Sequence, residues 1–236
     1  HINVGLSQIL LGEWKKGLHH FEEAVRWDPN NCGAWVNLGV GYENQAMDAE
    51  ANRCFENAFR LEPDKSHLGL CLGTSYLKVG RFKEGWEHFS ARFEADESLK
   101  LKGDVSVWQG ESLEGKSIHL YPEQGLGDLV QFIRFAKMLS DQGARVIATV
   151  PKTLRELLVT VPGIEQCLIA GEQAPSCDFQ STVMELPRWL GIDSNNIPLT
   201  AGYLAVPPLN AACLSVMLAV SRTSGVLTLS SPLMTV

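Results

Sequence analysis

The stretch that decides the fold is WVNLGVGYENQAMDAEANRCFENAFRLEP, residues 35–63. When the sequence is shifted by 34 residues, the large, small and aromatic residues of this stretch coincide with similar residues before and after it. The coinciding sets are Phe21, Phe55 and Phe89; Gly5, Gly39 and Gly73; Val4, Leu38 and Leu72; Ala24 and Ala58; and Pro29 and Pro63. A period of this length predicts stacked helical hairpins, because each hairpin can bury its apolar face only against its neighbours.

The middle copy resembles a tetratricopeptide repeat. Its small residues would let two helices cross closely, its aromatic residues would fill the space between hairpins, and its proline would end the second helix. The third copy departs from the pattern, since Gly69 replaces the tryptophan, Arg92 replaces a small residue and no proline closes it. We therefore expect about three repeats over residues 1–97, the first of them incomplete. The resemblance is carried by Trp35, Leu38, Gly39, Tyr42, Ala51, Phe55, Ala58 and Pro63.

The resemblance implies that the first helix of each hairpin lines a concave groove. This groove would be apolar, which leaves two interpretations open. It is either a channel that binds a peptide of a protein partner, or a surface that packs on a neighbouring segment or on further repeats. The predicted groove residues are Ile2, Leu6 and Ile9 in the first copy, Val36, Val40 and Glu43 in the second, and Leu70, Thr74 and Leu77 in the third.

The second half of the chain alternates short β-prone runs with helical patterns. Residues 117–121 form a predicted strand, followed by a glycine-bearing loop and an amphipathic helix from Leu129 onward. Further strands are predicted over residues 144–150, 163–170 and 177–184, with a short helix over 152–160. This alternation predicts a parallel sheet, so the expected fold class is α + α/β. Residues 98–116 form the predicted connector, in which Trp108 is expected to be a buried anchor.

Dinucleotide binding is the first alternative for such a sheet. The loop carries Gly125 and Gly127, but Val130 stands where that fingerprint needs its third glycine. Pro151 and Lys152 end the second strand, where an acidic residue for the ribose is expected. The sequence therefore disfavours NAD binding.

Residues 108–206 resemble the heptosyltransferase-like domain of glycosyltransferase family 9, which follows tetratricopeptide repeats in a group of bacterial proteins. The matching motifs are Glu123-Gln124-Gly125-x-Gly127-Asp128, Gln131-Phe132-x-Arg134, the Gly-Ala-Arg of 143–145, Leu157-Leu158, Pro162-Gly163 and Tyr203-Leu204. The resemblance implies a GT-B fold, in which two Rossmann-like domains face each other across a cleft. Residues 117–206 would then be the acceptor-holding N-terminal half of an enzyme that moves a hexosyl or heptosyl group from a nucleotide-sugar to a protein or glycan hydroxyl.

In that family reading, Asp128 is the general base that deprotonates the acceptor hydroxyl. The structural alternative is that Asp128 caps the helix that follows the loop. Glu123 and Arg134 would either contact the acceptor or brace the loop as charged residues. The predicted acceptor-binding residues are Glu123, Gln124, Gly125, Gly127 and Arg134.

Residues 207–236 depart from the family. The donor-binding domain should begin there, yet the stretch contains Arg222 as its single charged residue. This predicts an atypical, disordered tail that arises from truncation or a shifted reading frame. We therefore expect no cofactor in this chain and no turnover by it alone, because the nucleotide-sugar donor would need the missing domain.

The composition of the chain argues against several classes of function. A net charge of −7, a pI near 5.4 and the lack of a Lys/Arg run argue against nucleic-acid binding. The 6 cysteines show no CxxC pairing and no histidine at metal-ligand spacing, which predicts reduced thiols and no metal site. No apolar run is long enough for a membrane span. The unpaired, reduced cysteines are what predict a cytoplasmic protein. The alternative to a transferase is a non-enzymatic scaffold that binds peptides through its repeats, with the oligomeric state left open.

Overall fold

The computed structural model describes residues 1–198 and 202–205. The chain divides into two compact units, each treated by itself below. The first, here called the repeat unit, contains His1–Lys102 and Pro187–Ile197. The second, here called the sheet unit, contains Gly103–Leu186 and continues from Pro198. The predicted tail, residues 207–236, lies outside the described residues.

The repeat unit is built from helical hairpins, as the sequence period predicts. Helices pair as α1 with α2, α3 with α4 and α5 with α6, and successive hairpins stack through α2 on α3 and α4 on α5. A short helix α7 and a 3₁₀ turn, Glu97–Leu99, follow the last hairpin. The helices are α1 Ile2–Leu10, α2 Trp14–Trp27, α3 Cys32–Glu43, α4 Asp48–Leu61, α5 Ser66–Lys78, α6 Phe82–Phe89 and α7 Arg92–Ala95.

Each hairpin closes where a recurring glycine meets a recurring phenylalanine. A Cβ atom on Gly5 would lie 2.5 Å from the ring of Phe21, and one on Gly39 would lie 2.7 Å from the ring of Phe55. In the third hairpin a Cβ atom on Gly73 would lie 2.6 Å from the backbone nitrogen of Phe89. Every one of these distances is shorter than a normal carbon contact, so the two helices approach this closely only because glycine is present.

A second recurring contact joins one hairpin to the next. The Tyr42 hydroxyl on α3 donates to the carboxylate of Glu22 on α2 at 2.9 Å. The Tyr76 hydroxyl on α5 donates in the same way to Glu56 on α4 at 3.1 Å. The 34-residue period therefore fixes polar contacts between hairpins as well as apolar ones.

The sheet unit contains a five-stranded sheet with the order β1-β5-β2-β3-β4. All pairs between neighbouring strands are parallel, which confirms the prediction of a small parallel sheet. The strand β1 falls inside the predicted connector, residues 98–116, and pairs with β5 at the edge of the sheet. The strands are β1 Ser106–Val107, β2 Ser117–Tyr121, β3 Arg145–Val150, β4 Ile164–Ile169 and β5 Phe179–Thr182.

The helices of the sheet unit differ in detail from the prediction. The helix after β2 begins at Leu126 rather than Leu129, and a 3₁₀ turn at Ile133–Phe135 divides it into two. Its apolar face still continues across this turn, because Leu129, Ile133 and Leu139 are all almost fully buried. The predicted helix over 152–160 is a 3₁₀ turn, Lys152–Leu154, followed by one short helix. The helices are α8 Leu126–Phe132, α9 Ala136–Asp141 and α10 Arg155–Leu158. A further helix, α11 Leu186–Trp189, begins at the last residue of the stretch Gly103–Leu186, and its other residues belong to the repeat unit.

Candidate functional site

The predicted groove residues lie on the first helices of the second and third hairpins. Val36 and Val40 belong to α3, and each packs partly against an apolar cluster between helices. All six positions are partly exposed, so the face is neither sealed nor fully solvated. These six positions are Val36, Val40, Glu43, Leu70, Thr74 and Leu77.

An ion pair crosses this face. The Lys78 ammonium on α5 lies 2.7 Å from the carboxylate of Glu43 on α3, with side chains 32% and 16% exposed respectively. Sequence reasoning singled out Glu43 but missed Lys78. The signal was available, since Lys78 stands one period after Asn44, the neighbour of Glu43 in the sequence. A charged pair therefore sits among the apolar groove positions.

The other polar groups of this face are turned toward their own helices. The Thr74 hydroxyl donates to the carbonyl of Leu70 at 3.0 Å. The Asn44 amide donates to the carbonyl of Val40 at 2.8 Å. Because these side chains already hydrogen-bond within their own helices, a ligand would meet the apolar side chains of the face and the Glu43–Lys78 ion pair.

Of the three groove residues predicted in the first copy, two pack inside the repeat unit and one lies on its surface. Ile2 and Ile9 pack against the apolar cluster formed with α2 and α3, whereas Leu6 is 41% exposed. In addition, a Cβ atom on Gly17 would lie 2.5 Å from Ile9, so Ile9 belongs to the crossing of α1 and α2. The first copy therefore contributes Leu6 to an open surface and the two isoleucines to the core.

The predicted acceptor loop is an exposed corner between β2 and α8. Gln124 has a φ of 57°, in the left-handed region that is uncommon for residues other than glycine. By contrast, a Cβ atom on Gly127 would meet nothing within 4 Å, and one on Gly125 would meet only the Asp128 carboxylate at 3.5 Å. The unusual backbone conformation of this turn is therefore at Gln124, and neither glycine is required there by a positive φ or by a close contact.

Asp128 lies within the first turn of α8 and not at its cap. The capping position is Gly125, and the Asp128 carboxylate accepts a hydrogen bond from the Gly125 N–H at 3.2 Å. This is half of a capping box, because glycine has no side chain to return the second bond. Asp128 thus stabilises the start of the helix by reaching back to it, while its carboxylate remains partly exposed.

The corner occupies a particular place in the sheet. From β2 the chain proceeds to β3 and β4 on one side, and then crosses to β5 on the other side. In open parallel sheets, ligands bind outside the carboxyl ends of the strands where the order reverses in this way. The loop that follows Tyr121 is at that position.

Glu123 and Arg134 have different surroundings. Glu123 is buried, with 5% of its surface exposed. Arg134 donates from Nε to the carbonyl of Gln131 at 2.7 Å, and its guanidinium lies 4.8 Å from the centre of the Tyr203 ring. Arg134 and Tyr203 line a cavity of about 470 Å³ whose walls include none of the loop residues 123–128. The structure therefore places Arg134 at this cavity and apart from the lining of the corner.

Other titratable groups hold the sheet together. His119 Nε2 lies 2.8 Å from the hydroxyl of Thr149, and burial lowers the pKa of this histidine. The Asp178 carboxylate accepts hydrogen bonds from the backbone N–H and the hydroxyl of Ser117, which together with Lys116 lower its pKa to about 2. Among residues 1–198 and 202–205, no group of three or more His, Cys, Asp and Glu side chains could hold a metal ion.

The cysteines that the structure describes are free thiols, and burial raises the pKa of Cys54 to about 12. Thiols with raised pKa values are poor nucleophiles and poor metal ligands. In the same part of the chain, no helix has the length and apolar character needed to cross a bilayer. Cys213, the sixth cysteine, lies outside the described residues.

Comparison with known proteins gives relatives that match part of the chain, and no protein-family model matches. FlbA of Caulobacter vibrioides is 30% identical over 138 residues, which is 56% of this chain and 22% of FlbA. Mouse Superkiller complex protein 3 is 26% identical over 132 residues, 52% of this chain and 8% of the relative. The peroxisomal targeting signal receptor of Saccharomyces cerevisiae is 28% identical over 104 residues, 43% of this chain and 17% of the receptor.

The chain therefore spans less than a quarter of the length of these curated relatives. Among solved structures, YrrB, described as a TPR protein with an unusual peptide-binding site, is 25% identical with a TM-score of 0.38. That alignment covers 41% of this chain and 50% of YrrB. A structure of MamA is 25% identical with a TM-score of 0.37, over 41% of this chain and 53% of MamA. The hairpins of the repeat unit, with their 34-residue period, make this chain a tetratricopeptide-like repeat protein that also carries a small parallel sheet.

Proposed function

We propose that the protein is an interaction scaffold that binds a peptide segment of a protein partner along the face shared by α3 and α5. The observation that carries this proposal is the partly exposed apolar face around the Glu43–Lys78 ion pair. Faces of adjacent helices with this character accept extended or helical peptides. The relative named a peroxisomal targeting signal receptor supports the proposal, because by its name it recognises a targeting signal.

The chemistry of the face limits the kind of peptide. Val36, Val40 and Leu70 offer apolar contact, while Thr74 and Asn44 satisfy their polar groups within their own helices. The partner should therefore contribute apolar side chains together with one charged group that meets Glu43 or Lys78. Because that pair is only partly solvated, its interaction with a ligand charge is screened less than on an open surface.

A binding experiment tests this function. Peptides selected from a random display library on the intact protein are titrated by fluorescence anisotropy against the wild type and the Leu70→Asp variant. Leu70→Asp should weaken binding at least about tenfold, since a charge would replace apolar contact. Lys83→Asp on the exposed side of α6 is the matched control and should leave binding unchanged. Selected peptides that bind Leu70→Asp as tightly as the wild type would contradict the proposal.

The second candidate function is sugar transfer, with the chain as the acceptor half of a GT-B glycosyltransferase-like protein. The open corner at the reversal of strand order favours it, because Gly125 and Gly127 leave room for a ligand there. In this proposal Asp128 is the general base, and Glu123 and Gln124 contribute to the acceptor site. This second proposal also includes a Rossmann-like fold for the sheet unit. None of the relatives named above is a glycosyltransferase by name.

Asp128→Asn tests the second candidate. In a chain that also carries a donor domain, the variant should fold normally and lose sugar transfer, since asparagine still accepts the Gly125 hydrogen bond but cannot take a proton. Transfer is measured with a radiolabelled nucleotide-sugar, and folding by thermal unfolding. Unchanged transfer would leave Asp128 with its role at the helix start alone.

A further inference from the structure

The cavity of about 470 Å³ beside Arg134 is used by neither of the functions proposed above. All of the residues that line it belong to the sheet unit. Sites that bind small molecules have volumes of about 300–1,000 Å³ and mostly apolar walls with a few polar groups. The cavity has a volume in this range, and many of its wall residues are apolar or aromatic. These residues are Met138, Val161, Pro162, Pro198 and Tyr203.

Arg134 is held at the wall of the cavity by contacts within the sheet unit. It stands in the 3₁₀ turn between α8 and α9, and its Nε donates to the carbonyl of Gln131 at 2.7 Å. Its Nη2 lies 3.5 Å from the hydroxyl of Tyr203, which donates its own proton to the carbonyl of Val130 at 2.6 Å. Because these contacts already order the arginine side chain, little conformational entropy is lost when it binds a ligand.

Arg134 lacks a counter-ion within the chain. Among residues 1–198 and 202–205 it has no carboxylate partner, and its Nη1 makes no hydrogen bond. Residues 199–201 and 206–236 contain no aspartate or glutamate side chain. A guanidinium has five N–H donors, so the outer N–H groups of Arg134 remain for a group that comes from outside the chain.

The other charged residues at the cavity neutralise each other. Lys137 and Asp141 both line it, and they form an ion pair one turn apart on α9. With Arg134 included, the walls therefore carry one positive charge in excess. A guanidinium binds a carboxylate through two parallel N–H···O bonds, which matches a ligand with a single negative charge. A more highly charged group such as phosphate would be repelled by Asp141.

We propose that the cavity beside Arg134 is a binding site for a small organic monocarboxylate with an apolar body. The carboxylate of the ligand accepts hydrogen bonds from the outer N–H groups of Arg134, and its apolar body packs against Met138, Val161 and Pro162. This site is distinct from the α3–α5 face and from the corner at Asp128, because the residues of neither line the cavity.

The test measures ligand binding to the whole chain by fluorine NMR. The probe is para-fluorobenzoate, and para-fluorobenzamide is its neutral counterpart. A probe of this size should bind with a Kd on the order of 1 mM. The amide should bind at least about tenfold more weakly, because it has no charge to meet Arg134. Inorganic phosphate should not displace the probe.

Two variants remove the site in different ways. Arg134→Gln removes the charge and should weaken binding of para-fluorobenzoate at least about tenfold. Met138→Trp, at a partly exposed position of α9, should abolish binding because the larger side chain fills the cavity. Arg155→Gln is the matched control, since Arg155 is an exposed arginine of the same unit that pairs with Glu172, and it should leave binding unchanged.

Thermal unfolding shows which variants are folded, and Met138→Trp decides the outcome if Arg134→Gln does not fold. The proposal would be overturned by a wild-type protein that shows no saturable binding of para-fluorobenzoate. Equal binding of the acid and the amide, displacement of the probe by phosphate, or undiminished binding by the folded variants would overturn it as well.

Discussion

Gly39 and Gly33 lie on the same helix, yet alanine should change stability in opposite directions at these two residues. A Cβ atom on Gly39 would lie 2.7 Å from the buried ring of Phe55, whereas the nearest atom to one on Gly33 is the Asn31 side-chain oxygen at 3.4 Å. Gly39→Ala should lower the free energy of unfolding by about 1–3 kcal/mol through overpacking. Gly33→Ala should raise it by about 0.5–1 kcal/mol through helix propensity. Urea unfolding measures both, and equal effects would contradict the role assigned to the Gly39–Phe55 crossing.

Asp178 gives the sheet unit a pH dependence in acid. Its carboxylate accepts bonds from the Ser117 backbone N–H and hydroxyl, each at 2.8 Å, and meets Lys116 at 3.2 Å. These contacts lower its pKa from 3.8 to about 2, so the stabilisation is present above pH 3.8 and is lost as the pH falls toward 2. Asp178→Asn should therefore show a smaller loss of stability than the wild type across that interval.

The measurement for Asp178 is urea unfolding between pH 5 and 2, followed by far-ultraviolet circular dichroism. Asp104→Asn, at an exposed position of the same unit, removes the same charge and should follow the wild-type curve. If Asp178→Asn and the wild type lose stability in parallel, the Ser117 contacts do not stabilise the junction of β2 and β5.

Among elements, the contacts between hairpins are not of equal strength. The Tyr42 hydroxyl donates to Glu22, and burial together with this hydrogen bond raises the pKa of Tyr42 to about 12. Glu56 accepts the hydroxyl of Tyr76 but also lies 2.7 Å from Arg81, whose guanidinium stacks on Tyr76 at 3.9 Å. Tyr42→Phe should therefore cost about 1 kcal/mol, and Tyr76→Phe less, because Glu56 keeps a partner.

A double-mutant cycle checks this difference. Coupling between Tyr42→Phe and Glu22→Gln should exceed coupling between Tyr76→Phe and Glu56→Gln, with the free energies of unfolding measured in urea. The reverse order would show that Arg81 strengthens the second contact instead of replacing it. In either case the result ranks the two interfaces between hairpins.

The hairpins were readable from the sequence because their signal is repeated. Gly39 and Phe55 each recur every 34 residues, and in the structure they are the two residues that meet where the helices of a hairpin cross. The strand β1 gave no such signal, since its two residues, Ser106 and Val107, are too few for an alternating pattern and are held by pairing with β5. Likewise, Gln124 owes its role to its backbone φ angle, which no local sequence pattern shows.

In the molecule as a whole, the repeat unit is assembled from two stretches of chain that are far apart in the sequence. The chain leaves the repeat unit after Lys102, forms the sheet and then returns with Pro187–Ile197 before it continues from Pro198 in the sheet unit. Within the repeat unit, Arg188 donates from Nη1 to the hydroxyl of Ser90 at 2.8 Å. The repeat unit should therefore become less stable to unfolding when the contacts of Pro187–Ile197 are removed, even though all of its hairpins remain.

The Arg188–Ser90 contact tests this organisation. Arg188→Ala should lower the midpoint of helix unfolding, because it removes a charge-assisted hydrogen bond worth about 1 kcal/mol when partly exposed. Ser90→Ala should lower the midpoint less, and the two changes should not be additive, since they remove the same bond. Arg155→Ala removes an exposed arginine of the sheet unit that lies 3.5 Å from Glu172, and it should leave the helix transition in place. Additive effects of Arg188→Ala and Ser90→Ala, measured at 222 nm, would mean that the returning segment is held to the repeats by other contacts.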